Sequence, residues 1–535
     1  MIRVTCLGAT RTVTGSNFLI ETPGGKKILV DCGLYQGKKQ LEKRNWSEWD
    51  FNPSEIEILF LTHAHIDHSG RIPKLVKDGF KGRILTSPPT AELCGIMLLD
   101  SAHIQETEAE WQSRKRRRQD LEAVEPLYTT ADAEASLKFF SPVERDTFVD
   151  IEPGIKARLR NAGHILGSSI LELWLHEGQE QLKVVFSGDL GRKDQLIVKD
   201  PQEIFDADFL FMESTYGNRN HRNFEDSRDE LLEAIQHSTS RGQKILIPAF
   251  AVERTQEILY VLGELQREGS LPDIPIYLDS PLAIKATEIF RKNKQAYDQE
   301  AMAIVNSGFD PFGMDNLKFT QSTRESMAIN EQDGPAIVIA ANGMCTAGRI
   351  RHHLKHNLWC KGASVVIVGF QAAGTTGRKL VDGARQVKVL GEMITVNARI
   401  YTIGGFSAHA DQQDLIQWVG NFTSNPRVFL IHGEEESSRA LADALRASHG
   451  LNVHIPRWKE RIILKPREVV EEVPDLAWSE PDFATQAQNA LVDLDNELKA
   501  LKKRIKAKES MGELEEDDVE RLQFVQEEIR ALVNS

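Results

Sequence analysis

The stretch LTHAHIDHSG, Leu61 to Gly70, sets three histidines and an aspartate within six positions, directly behind the apolar run EIEILFLT. That run reads as a buried strand, and SGRIPKLVKDGF after it has the apolar spacing of a short helix closed by Gly79. Four ligand-type side chains therefore stand at the mouth of a strand. In an extended segment alternate side chains share a face, so His63, His65 and Asp67 are expected on one side and His68 on another as the chain turns. Two neighbouring directions suit two neighbouring metals. Imidazole nitrogen and carboxylate oxygen favour Zn²⁺, with Mn²⁺ or Fe as alternatives.

A dinuclear site needs further donors, among them a carboxylate able to bridge. Two glycine-bearing turns at strand ends offer candidates: AGHILGS carries His164 and FSGDLG carries Asp189. Alone, each reads equally well as a structural turn. Beside HxHxDH, both read as ligands.

The chain has 535 residues, more than one hydrophobic core usually supports, so several domains are expected. No apolar run reaches the length needed to span a bilayer, and MIRVTCLGAT lacks the pattern of a secretory leader. The expectation is a soluble, cytoplasmic protein with no membrane contact. Five scattered cysteines, Cys6, Cys32, Cys94, Cys345 and Cys360, form no CxxC pair and read as buried thiols. A net charge of −14 argues against non-specific wrapping of nucleic acid. That excess is uneven: GELEEDDVE near the C-terminus is acidic, while RKRRR, Arg114 to Arg118, is locally basic and reads first as a solvated helix face.

Short β-rich runs open the chain, and GIKARLRNAGH, SILELWLHE and QLKVVFSGDLG supply more, suggesting sheets sandwiched between helices. From about Glu213 the pattern changes to compact apolar strands alternating with helices: KILIPAF, IPIYLDS, PAIVIAANG and ASVVIVGFQ. Alternation of this kind implies a parallel α/β sheet with its loops gathered at the strand C-termini. Beyond residue 475 leucines step by three and four, as Leu491, Leu494, Leu498 and Leu501 do, which reads as a helical hairpin or short coiled coil. Such helices suit either packing on their own domain or a homodimer or partner-protein contact.

VDCG with Asp31, THAHIDHSG, AGHILGS and SGDLG together resemble the successive motifs of the metallo-β-lactamase fold. MESTYGNR with Glu213, GGFSAHAD with His409 and FLIHGEEE with His432 further resemble motifs A, B and C of the β-CASP nucleic-acid-processing group, which includes the nuclease subunit of the pre-mRNA 3′-end cleavage complex and its prokaryotic relatives. The resemblance implies an α/β architecture: an αββα sandwich interrupted by an inserted β-CASP cap. The expected division is residues 1–212 and 391–470 for the sandwich, 213–390 for the cap and 471–535 for a helical extension.

It also implies two zinc ions, one held by His63, His65 and His164, the other by Asp67, His68 and His432, with Asp189 bridging. Asp31 would orient a ligand histidine. His409, steadied by Glu213, would give a proton to the leaving oxygen. A histidine at motif C favours RNA over DNA. In the cap, LDSPLA, ANGMCTAGR and GFQAAGTTGR resemble segments lining the substrate cleft, which makes Ser280, Arg349, Gln371 and Arg378 candidate substrate contacts. The expected activity is a zinc-dependent ribonuclease, endonucleolytic, with a 5′-exoribonuclease as alternative. A non-catalytic RNA-binding scaffold and a small-molecule metallo-hydrolase are the readings from other classes.

Overall fold

Three parallel strands decide where the site lies. In the computed structural model Phe209–Glu213 runs between Glu180–Phe186 and Arg427–Ile431, with Phe211 opposite Phe186 on one side and Phe429 on the other. Their rings stack in a row, with centroids 4.6 and 4.7 Å apart. Cross-strand aromatic pairs of this kind hold strands in register. The strands therefore end level, and the residues that follow or close them, Asp189, Glu213 and His432, arrive at one edge. The structure describes residues 2–472 apart from 119–121, 153, 178–179, 222, 370, 372–373 and 466–468.

These strands belong to a seven-stranded sheet in the order 453–454, 427–431, 209–213, 180–186, 169–177, 155–161, 148–152. An eight-stranded sheet faces it, in the order 469–472, 461–464, 2–6, 18–21, 27–30, 56–60, 83–86, 140–142. The core lies between them. Phe18 of one sheet meets Phe186 and Phe211 of the other, and Ile2, Val4, Ile20 and Val30 are buried with Leu171, Leu173 and Val184. Helices cover the outer faces: Pro88–Arg117 on the eight-stranded sheet, Gln412–Val419 and Glu435–His449 on the seven-stranded one. This is the expected αββα sandwich.

A six-stranded sheet forms the cap, in the order 317–319, 276–278, 337–340, 245–248, 364–367, 399–402, every pair parallel. Ile245–Pro248, Ile337–Ala340 and Ser364–Ile367 are buried at every position, because helices cover both faces of a parallel sheet. By sheet membership the cap reaches Thr402, beyond the boundary expected near residue 390. The reason is that Arg399–Thr402 pairs with Ser364–Ile367, so the chain returns to the sandwich only afterwards.

Cys6, Cys32, Cys94 and Cys345 are buried free thiols and Cys360 is half-buried. No described helix is long and apolar enough to cross a membrane. The basic run ends the helix Pro88–Arg117, where Arg114 pairs with Glu110 and Arg116 donates to the Glu122 carbonyl. The helical extension expected after residue 471, with the partner contact assigned to it, lies outside the described residues.

Candidate metal centre

The strand Ile56–Phe60 ends three residues before His63, and the chain stays extended only as far as His65. Ile66–Ser69 is already a helical turn. Strict alternation therefore stops before Asp67, which joins His68 instead of His63 and His65. Two groups of donors result: His63, His65, His164 and Asp189 in one, Asp67, His68 and His432 in the other. Donor atoms in each group lie within 4.8 Å of one another.

Asp189 stands between the groups. Its Oδ2 is 3.5 Å from His63 Nε2 and 3.7 Å from His164 Nε2, while its Oδ1 is 3.3 Å from His68 Nε2 and 3.4 Å from His432 Nδ1. Asp67 Oδ2 lies 3.4 Å from His432 Nε2. Glu213 falls within the same reach of Asp189 and His432.

The donor chemistry fits a divalent cation. Imidazole nitrogens face one another at 3.1 Å (His63 Nε2, His65 Nδ1), 3.2 Å (His164 Nε2, His65 Nδ1) and 3.0 Å (His68 Nε2, His432 Nε2). Converging lone pairs in a buried place need a shared positive partner, and nitrogen with oxygen donors suits zinc. Protonation agrees. Burial, then the neighbouring imidazoles, push His63 and His164 well below the usual range, and burial brings His65 down to about 4. Burial opposes ionisation of Asp189, but His432, His68 and His63 outweigh it and hold that carboxyl well below its ordinary value. Neutral imidazoles beside an ionised carboxylate are the forms that bind metal.

His68 is held from behind. Asp31, at the end of the strand Lys27–Val30, puts Oδ2 2.7 Å from His68 Nδ1. The same carboxylate accepts from the Thr62 amide at 2.9 Å, from the Thr62 hydroxyl and from Ser16 Oγ at 3.1 Å. Gly33 brings these elements together: a Cβ there would sit 1.6 Å from the Asp67 carbonyl oxygen.

His409 lies beside the cage on the segment after the cap. Its Nδ1 is 3.3 Å from Glu213 and 4.0 Å from Asp189, and its ring is 4.3 Å from that of His164. Burial disfavours its charged form, yet the Glu213 carboxylate and the hydrogen bond to it prevail and raise the imidazole to about 8. Glu213 is fully buried and also receives the Leu190 amide at 2.6 Å.

Ser280, Arg349, Gln371 and Arg378 are not drawn into this cluster. Ser280 caps the helix Pro281–Lys292. Arg349 Nη1 donates to Asp279 at 2.7 Å and to the Thr320 carbonyl. Gln371 Nε2 donates to the Gly343 and Gly369 carbonyls. Arg378 pairs with Asp382 one turn on, with about half its side chain exposed.

Several neighbours of the cage were not singled out from the sequence. Thr215 Oγ1 lies 3.2 Å from His432 Nδ1, Gln195 Nε2 donates to the Gly163 and Ala408 carbonyls, and His221 Nε2 reaches the His409 carbonyl. Thr215 shares motif A with Glu213, and two more residues of that motif frame the site as well, since Ser214 Oγ donates to the Ile431 carbonyl and Tyr216 packs edge-on to His409. That proximity to Glu213 was the one available clue.

Comparison with family models decides the lineage. Residues 11–248 match the metallo-β-lactamase superfamily, 255–380 the β-CASP domain and 393–456 the zinc-dependent metallo-hydrolase RNA specificity domain. A protein named ribonuclease TTHA0252, from Thermus thermophilus, is 36% identical over 461 residues, covering 86% of this chain and 100% of its own length. The chain belongs to the β-CASP family of metallo-β-lactamase-fold hydrolases. Proteins named transcription termination factor FttA are similar too. The one from Methanocaldococcus jannaschii is 31% identical over 474 residues (87% of this chain, 72% of that protein), and the one from Thermococcus kodakarensis 32% over 482 (87% and 72%). Metal-dependent hydrolysis is the chemistry of this β-CASP lineage.

Proposed function

We propose that this β-CASP protein is a zinc-dependent ribonuclease that hydrolyses RNA phosphodiester bonds internally, with a pair of ions in the cage. The observation that carries the reading is the two-sided placement of Asp189, one oxygen toward His63 and His164 and the other toward His68 and His432. His63, His65 and His164 would hold one ion, Asp67, His68 and His432 the other, with Asp189 shared. RNA as substrate is supported by the match of residues 393–456 to an RNA specificity domain and by the relatives' names.

Bound metal supplies Lewis acidity, which withdraws charge from a phosphate and makes water acidic enough to attack near neutral pH. The chain's own residues do the rest. Glu213 occupies His409 Nδ1 and leaves Nε2 to hold the proton that the departing ribose oxygen requires. Asp31 fixes the ring of His68 through Nδ1, so that Nε2 points into the cage. Arg378, with about half its side chain exposed, is assigned to phosphate. Ser280, Arg349 and Gln371 act on RNA by holding the cap loops in shape.

Metal-loaded protein is incubated with circular and linear forms of one labelled RNA, beside a His65→Ala control. Opening of the circle by the intact protein alone is expected. Degradation of only the linear form from its 5′ end would replace internal cutting with 5′-exonuclease action, and no cleavage of either would overturn the ribonuclease reading.

A further inference from the structure

The segment Phe250–Glu253 follows the cap strand Ile245–Pro248 and precedes the helix Arg254–Arg267. Glu253 has φ 66° and ψ −65°, and the Arg254 amide donates to the Val252 carbonyl at 3.0 Å. This is a γ-turn of the rare positive-φ kind, strained for any residue and more so for one with a long side chain. Strain held in place this way points to work done by the side chain.

The carboxyl of Glu253 is 2% exposed and reaches out of the cap: its Oε2 accepts the Leu166 amide at 2.9 Å, two residues beyond His164. On the sandwich side, Ser168 Oγ takes the His164 and Ile165 amides, and Ser87 and Thr90 donate to the Gly167 carbonyl. The Leu166 amide is thus satisfied from the cap. On the cap side the turn is rigid, because Thr255 donates to the Phe250 carbonyl and Gln256 to those of Ala251 and Ala283.

We propose that Glu253 is a positioning residue for the metal centre: it ties the His164 loop to the cap, so that the donor set His63, His65, His164 and Asp189 takes its full geometry only when the cap is seated. This rests on the two-ion reading above. The side chain suits the task as a neutral acid. Burial, then the Glu257 carboxylate, push its carboxyl well above the usual range, and Oε1 makes no hydrogen bond. A glutamine keeps that shape and an accepting oxygen, whereas a methionine fills the volume and accepts nothing.

The test titrates metal-depleted wild-type protein, Glu253→Gln and Glu253→Met with Zn²⁺ against a chromophoric chelator, and follows amide exchange in the peptide covering residues 163–168. Wild type and Glu253→Gln are expected to bind both equivalents alike. Glu253→Met is expected to weaken one equivalent by about tenfold or more and leave the other unchanged. Exchange of residues 163–168 should rise in Glu253→Met alone, with Phe209–Glu213 still protected as the check on folding. Glu253→Met binding both equivalents at wild-type affinity with a protected loop overturns the inference, and so does Glu253→Gln failing as Glu253→Met does. Wild-type protein that takes up no zinc overturns the metal reading itself, and the inference with it.

Discussion

Asp279 separates two roles for Arg349. Its carboxylate is fully buried and accepts four hydrogen bonds: Arg349 Nη1 at 2.7 Å, Thr320 Oγ1 at 2.6 Å, Ser326 Oγ at 2.6 Å and His353 Nε2 at 2.7 Å. Arg349 adds bonds to the Thr320 and Gln321 carbonyls. The guanidinium is spent on cap structure. Replacing Asp279 with asparagine leaves donors facing a neutral amide in the interior, which costs about 3 kcal/mol. Arg349→Met removes one charge-assisted partner of four, about 2 kcal/mol, and the double variant should lose less than the two combined.

Acid dependence follows from the same group. Burial opposes ionisation of Asp279, but the hydrogen bonds from His353, Ser326 and Thr320 bring its pKa down from 3.8 to about 2. A folded value below the unfolded one means the contribution is complete above about pH 4 and is lost as pH falls through 2; the depression amounts to about 2 kcal/mol. Urea unfolding, read as loss of protease resistance in the cap, should show the wild type and Asp279→Asn separated at pH 7 and drawing together below pH 4. If Arg349→Met unfolds like wild type, yet has a raised KM and a salt dependence of RNA binding lowered by about one ion, the guanidinium serves RNA and the reasoning fails.

His409→Ala should retain its metal by elemental analysis while turnover falls by about 10²–10⁴-fold, since its ring touches the cage without entering either donor group. Gly33→Ala forces a methyl against the Asp67 carbonyl, where backbone lines both sides. A loss of about 3 kcal/mol in unfolding free energy is expected, along with the metal equivalent held by Asp67, His68 and His432. Asp31→Ala frees the His68 ring and should weaken zinc about 10–100-fold in a chelator competition, with the fold retained by circular dichroism.

The metal donors were legible because each stands in a short pattern at a strand end: HxHxDH, AGHILGS, SGDLG and the histidine after FLI. The sandwich and the parallel cap were legible because their strands alternate or are uniformly apolar. Less was readable wherever one residue acts through distance in the chain. Alternation misplaced Asp67, since a helical turn begins one residue after His65 and rotates Asp67 toward His68. Arg349 read as a candidate substrate contact, and only the cap's packing shows its bond to an aspartate 70 positions earlier. Gln195, His221 and Glu253 are common residues with no local pattern, and their partners lie on other segments.

By itself, then, the order of residues determined which side chains bear the chemistry and which kinds of element carry them, because ligand spacing and hydrophobic period are local properties of the chain. Which oxygen of Asp189 faces which histidines, and which cap residue grips the His164 loop, were decided by tertiary structure alone. Those relations depend on the register of the strands ending at Phe186, Glu213 and Ile431 and on the contact of two separately folded sheets, and neither is written in any single stretch of sequence.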